Sequence, residues 1–182
     1  MQQENNSTPS DEQLVEAIKQ NEPEAFRVLY YKYFTPLIRF ALYRTHSMET
    51  AKELVQEMFT KIWIKKDFLD PRKPVKSYLY KSLSNLIINR RKLHSSQATS
   101  LESKQNSKIY KDEDNMELMI DIRNAMDALP EKIKTVYLLS RAEGFRYEEI
   151  AEICCISEKA VEKRMSKAFS LLRKTFSEKY FK

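Results

Sequence analysis

The sequence predicts an all-α protein, with two small helical domains joined by a flexible linker. Among 182 residues there is one glycine, Gly144, and six prolines, so tight β-turns have almost no raw material. Apolar residues recur at i, i+3, i+4 and i+7 in several stretches, the spacing of one helix face. Between two such blocks lies SSQATSLESKQNSKIYKDEDN, residues 95–115, polar and without periodicity. It reads as a tether. The domains are expected at 10–94 and 116–177, each too small to be very stable alone.

Taken in order, residues 11–19 form a short amphipathic first helix. Phe26, Leu29, Tyr30, Tyr33, Phe34, Leu37, Phe40 and Ala41 then follow a helical stripe. Pro36 should kink that helix, because it lacks a backbone donor and crowds the preceding turn. Ala51, Leu54, Val55, Met58, Phe59, Ile62 and Trp63 make the cleanest stripe, with Trp63 expected in the core. Residues 67–74, DFLDPRKP, read as a loop broken by two prolines. Val75, Tyr78, Leu79, Ser82, Leu83, Leu86 and Ile87 carry a helix to about His94. In the second domain, Ile122, Ala125, Met126 and Leu129 mark one helix. Pro130 suits the first turn of the next, through Ile133, Val136, Tyr137 and Leu138.

Composition and spacing narrow the chemistry. The net charge of +6 favours a polyanionic partner. It is unevenly spread: residues 65–92 carry nine positives against two negatives, and residues 157–182 eight against three. The first thirty residues are acidic, with six acids against Lys19 and Arg27. Two basic patches suggest two contacts with nucleic acid. The adjacent Cys154 and Cys155 cannot staple distant segments and have no metal-binding spacing; they read as a core thiol beside a turn thiol in a reducing cytosol. His46 and His94 read as surface residues. No apolar leader and no membrane-length apolar run is present, so the protein is expected to be cytoplasmic, without membrane insertion. No Gly-rich phosphate loop, metal motif or activated nucleophile is found, and neither an enzyme nor a cofactor is expected.

The stretch 129–172 carries the sharpest motif. Residues 147–151, YEEIA, start a short helix, residues 155–157 turn, and Ser157 is placed to cap the next helix. That helix turns Val161, Met165, Ala168, Phe169 and Leu172 inward and shows Lys159, Lys163, Arg164 and Lys167 outward. A helix with a cationic outer face and an accessible N-terminus is what major-groove reading requires.

In the first domain, Tyr78 and Tyr80 lie among Lys73, Lys76, Lys81, Arg90 and Arg91, with Asn85 and Asn89 between. Rings that stack on unpaired bases and cations that follow phosphates hold single strands. Taken alone, the segment more often means a core Tyr78 and solvated lysines. Tyr78 and Tyr80 also point about 200° apart on a helix. Glu53 and Glu57 are i, i+4 neighbours, and with Gln56 they make a polar face better suited to a partner than to acid–base work.

Four blocks in this order resemble the sigma-70 superfamily, specifically its small two-domain extracytoplasmic-function (group IV) sigma factors: AFRVLYYKYFTPLIRFA (25–41), ELVQEMFTKIW (53–63), SYLYKSLSNLIINRRK (77–92) and the stretch 129–174. The resemblance implies that the first domain is sigma region 2 and the second region 4. Glu53, Gln56, Glu57, Phe59 and Ile62 would then dock on core RNA polymerase. Lys73, Lys76, Tyr78, Lys81, Asn85, Arg90 and Arg91 would melt and hold the downstream promoter element. The loop 65–76 would capture a flipped base. Arg146, Ser157, Lys159, Glu162, Lys163, Arg164 and Lys167 would read the upstream element. The resemblance also implies an anti-sigma partner and a free monomer. Family members often carry Gly where Cys155 stands and Asp where Asn89 stands. A left-handed backbone at Cys155 would be strained by about 1 kcal/mol.

The alternative is a dimeric helix-turn-helix regulator with an N-terminal sensing domain. It needs a second, self-complementary apolar patch, and the 51–63 stripe is already used by a core. A weaker third reading is a nucleic-acid enzyme with a dispersed site.

Overall fold

The computed structural model describes residues 9–97 and 116–180, and the predicted tether at 95–115 falls almost wholly outside them. These residues form eight α-helices and one 3-10 turn, with no strand among them. The chain divides near Leu101 into two compact units.

The first unit begins with α1 (Asp11–Lys19), started by a capping box: Ser10 Oγ accepts from the Gln13 N–H at 3.3 Å, and Gln13 Oε1 accepts from the Ser10 N–H at 2.9 Å. Next, α2 (Pro23–Thr45) takes Pro23 in its first turn, where a missing N–H costs nothing, and continues through Pro36 as one element. It ends at His46 in the left-handed region. Ser47 then caps α3 (Met48–Ile64) through the Thr50 N–H at 3.2 Å. A 3-10 turn, Lys66–Phe68, interrupts the predicted loop, and α4 (Val75–Gln97) follows.

Leu14, Val15 and Ile18 of α1 and Leu29, Leu37, Phe40 and Ala41 of α2 are buried with the 51–62 stripe of α3. Asp11 fastens α1 to α2 by accepting from Tyr33 Oη at 2.5 Å and Lys32 Nζ at 2.8 Å. Burial and that carboxylate both push the Tyr33 phenol far above its ordinary range, so it stays protonated while the unit is folded.

The α4 core face differs from the expected one. Tyr80 and Ser84 join the expected Val75, Leu79, Leu83 and Ile87 in the core, whereas Tyr78 is 41% exposed and Ser82 and Leu86 are half-buried. The cause is Arg44, 2% exposed. Its guanidinium donates to Ser84 Oγ at 2.8 Å and lies over the Phe40 ring, which packs edge-on against Tyr80 at 5.2 Å. A buried arginine selects a polar neighbour on α4 and turns Tyr80 inward. Trp63 also departs from expectation: it is half-buried, against Phe26 at 5.0 Å and under Lys66 Nζ at 4.8 Å.

In the second unit, α5 (Met116–Asp127) leads to α6 (Glu131–Arg141), α7 (Tyr147–Cys154) and α8 (Glu158–Tyr180). Pro130 is the residue before α6 rather than its first turn, with extended ψ of 139°. Ala125, Met126, Leu129, Val136, Leu139, Phe145, Ile150, Ile153, Val161, Met165 and Ala168 form the core. Phe169 is not among them: it is 40% exposed, with Arg141 over its ring at 5.1 Å and Tyr137 at 6.0 Å.

Two turns among the described residues of the second unit depend on left-handed backbone. Gly144 has φ of +73° and open space where a Cβ would stand. Cys155 has φ of 53° and ψ of 50°, so here a side chain bears the strain that glycine avoids. Opposite effects are expected. Gly144→Ala should cost about 1–2 kcal/mol and Cys155→Gly should gain about 0.5–1 kcal/mol, read as shifts in the thermal unfolding midpoint. Equal signs for the two would contradict the geometry.

Candidate nucleic-acid interface

The second unit presents α8 as the outward element of a helix–turn–helix. Ser157 Oγ accepts from the Ala160 N–H at 3.3 Å, which is the predicted cap. Val161, Met165 and Ala168 face inward, so Lys159, Glu162, Lys163 and Lys167 are exposed along one stripe, with Arg164 half-buried at its flank. Four cations over about two turns give a row that can alternate between base edges and phosphates. Arg146 stands apart from them at the start of α7. Its guanidinium pairs with Glu148 at 2.8 Å, and its backbone N–H donates to Glu149 Oε2 at 2.8 Å.

In the first unit, the predicted strand-holding residues fall into two groups. Tyr78, Lys81 and Asn85 lie within an arc of about 100° on α4 that also contains Asn89 and Lys92. Tyr78, Asn85, Asn89 and Lys92 are exposed and Lys81 is half-buried. Lys92 was not among the residues predicted for this face, although it follows Asn89 by three residues and Asn85 by seven, one and two helical turns. An aromatic ring, two amides and two lysines on one face suit an unpaired strand.

Arg90 and Arg91 lie outside that arc. Arg90 Nη2 pairs with Glu53 Oε2 of α3 at 2.5 Å, and Arg91 donates to the Arg44 carbonyl at the end of α2. Both arginines bind helices together. The Arg90–Glu53 pair also joins one predicted DNA residue to one predicted polymerase residue. Lys73 is exposed in the loop before α4, and Lys76 is half-buried in its first turn.

The outer face of α3 keeps Glu53 and Gln56 exposed and Glu57 half-exposed, with Glu57 paired to Lys61 at 2.6 Å. Phe59 and Ile62 are corrections. Each is 2% exposed, and Phe59 packs against Tyr30 at 4.8 Å and Phe26 at 5.9 Å. Their side chains are consumed by the core, so the exposed face of α3 is polar.

The loop between α3 and α4 is tightly built. Asp70 Oδ1 accepts from the Arg72 N–H and Nε, each at 3.1 Å. The Arg72 hydrogen bonds hold the Asp70 carboxyl below the usual carboxylate range, so this clasp is present at neutral pH and lost only as pH falls through that lowered value. Phe68 projects from the loop at 86% exposure, while the neighbouring Leu69 is 5% exposed. No helix of the described residues is long and apolar enough to cross a membrane.

Fold and faces together define a class: a two-unit, all-helical DNA-binding factor with a helix–turn–helix in one unit and a basic, aromatic helix in the other. Residues 29–96 match the family "Sigma-70 region 2" and residues 119–172 match "Sigma-70, region 4". The chain belongs to the sigma-70 family and is an RNA polymerase sigma factor of the extracytoplasmic-function kind. It is similar to the RNA polymerase sigma factor SigV of Bacillus subtilis (strain 168), with 28% identity over 141 residues, covering 74% of this chain and 81% of that protein.

Its fold is similar to that of CnrH, solved with the cytosolic domain of CnrY, at a TM-score of 0.72 and 21% identity. That match covers 93% of this chain and 98% of the other. The sigma factor RpoE of Bartonella quintana, solved with the anti-sigma factor NepR, gives a TM-score of 0.70 at 23% identity, covering 84% and 96%. The dimeric-regulator alternative is not favoured.

Proposed function

We propose that this sigma factor joins core RNA polymerase through the polar face of α3, with Glu53, Gln56 and Glu57 as its contacts. In this reading α8 reads the duplex upstream element through Lys159, Glu162, Lys163, Arg164 and Lys167, with Ser157 and Arg146 at its approach. Tyr78, Lys81 and Asn85 of α4 hold the melted downstream strand. Lys73 and Lys76 meet its phosphates, while Arg90 and Arg91 brace the helix. The single observation that carries the proposal is the α8 stripe, in which Lys159, Lys163 and Lys167 face outward, with Arg164 at the flank, opposite the buried Val161, Met165 and Ala168. The domain limits 10–94 and 116–177 are proposed to match these two tasks.

The protein contributes no catalysis of its own, and it needs neither cofactor nor metal. Free, it is a cytoplasmic monomer that binds DNA weakly, because neither basic face alone supplies the energy of melting. Tethering makes the second contact effectively intramolecular once the first is made. The complex in which RpoE was solved, with an anti-sigma factor, supports an anti-sigma partner here as well.

Permanganate footprinting on a promoter with core polymerase tests the assignment of α4. Reactive, unpaired thymines are expected with the wild-type protein and are expected to fade with Tyr78→Ala plus Lys81→Ala, while upstream protection persists. Undiminished reactivity in that variant would contradict the role of α4.

A further inference from the structure

We infer that Lys19 of α1 is a positioning residue for the 65–73 loop and sets how that loop meets the unpaired downstream strand. The inference rests on the sigma-factor reading and adds to it a residue outside the matched family segment, which begins at residue 29.

Lys19 lies in the last turn of α1, with its stem half-buried. Its ammonium donates to the Leu69 carbonyl at 2.7 Å, across fifty residues of sequence. The Leu69 side chain enters the core, so this one residue is held from two directions: by apolar burial and by a charge-assisted hydrogen bond. Local turns complete the loop on either side. The Phe68 N–H donates to the Lys65 carbonyl and the Leu69 N–H to the Lys66 carbonyl, each at 3.0 Å, and the Lys73 N–H donates to the Asp70 carbonyl at 3.0 Å.

Those bonds make the loop stiff within itself, and Lys19 ties it to α1. Around the tie stand the exposed Phe68, Arg72 and Lys73, the groups able to stack on a base or meet a phosphate. Loss of the tie leaves Leu69 held by its side chain alone, so the loop can pivot about that anchor while its internal turns and the two units remain folded. Because geometry at a strand-capturing site matters on the ångström scale, selectivity should suffer before stability does.

The test uses the full chain with bacterial core polymerase. Its probe is a fork template whose unpaired non-template strand carries the downstream element of a promoter mapped with the wild-type protein. Binding is compared with that of the same fork in which those bases are exchanged.

Lys19→Met is expected to lower the ratio of the two affinities by about five- to tenfold, with unchanged affinity for core. Lys19→Arg, which keeps a cationic donor, should stay within about twofold of wild type. A wild-type ratio in Lys19→Met would overturn the inference. An equal loss on both forks would also overturn it, because that is the signature of general destabilisation. If the wild-type protein itself fails to distinguish the forks, the strand-reading role of the 65–73 loop falls and takes the inference with it, while the mapped promoter leaves the sigma-factor reading standing.

Discussion

Replacing Lys163 and Arg164 together by alanine is expected to weaken binding of the polymerase complex to the upstream element by about a hundredfold. Each cation that meets a base edge or phosphate contributes about 1–3 kcal/mol, and 2.7 kcal/mol is a factor of a hundred. The fold should survive, because Lys163 is exposed, Arg164 is half-buried, and the inward stripe of Val161, Met165 and Ala168 is untouched. Competition binding at several salt concentrations separates the two kinds of contact. A phosphate contact changes the salt slope and weakens all sequences alike, whereas a base contact changes the preferred sequence at fixed salt. An unchanged affinity in the double variant would remove α8 as the reading helix.

Asp127→Ala should destabilise the second unit by about 2–3 kcal/mol. Lys134 is 2% exposed, and its ammonium is held by Asp127 Oδ1 at 2.7 Å. Removing a carboxylate from beside a buried cation strands the charge, which typically costs 3–5 kcal/mol. The lower figure applies here because the Asp127 side chain is 34% exposed and water can partly replace it. Lys134→Met removes the charge and keeps the volume, so it should cost about 1 kcal/mol or less. The asymmetry is the test: thermal unfolding should drop by at least about 8 °C in Asp127→Ala and much less in Lys134→Met. Equal drops would mean that the pair acts as packing rather than as a compensated charge.

These two buried cations also explain what the sequence conceals. The helices of both units were legible because their core faces repeat every three to four residues, and Ser157 stands where a cap is needed. Arg44 and Lys134 look like surface residues in sequence, since lysine and arginine are seldom buried. Burial of Arg44 against Ser84 rotates the core face of α4, which is why Tyr80 rather than Tyr78 lies inside.

The candidate site was legible to the same depth. Charge along α8 can be read from spacing alone once its apolar face is found. The duties of Arg90 and Arg91 cannot, because their partners, Glu53 and the Arg44 carbonyl, lie 37 and 47 residues away. Phe59 and Ile62 were assigned to the docking face by resemblance, yet they belong to the apolar stripe of α3. That stripe has no side chain to spare once Phe26 and Tyr30 of α2 pack on it. The tie from Lys19 to Leu69 joins a side chain to a backbone carbonyl and leaves no pattern in sequence at all.

Run-off transcription with bacterial core polymerase on fragmented genomic DNA, with and without this protein, tests the central claim most directly. Discrete transcripts that require the protein, and that disappear with Lys163→Ala plus Arg164→Ala, are the predicted result. No protein-dependent transcripts, together with tight binding of the isolated protein to a palindromic site, would contradict the account.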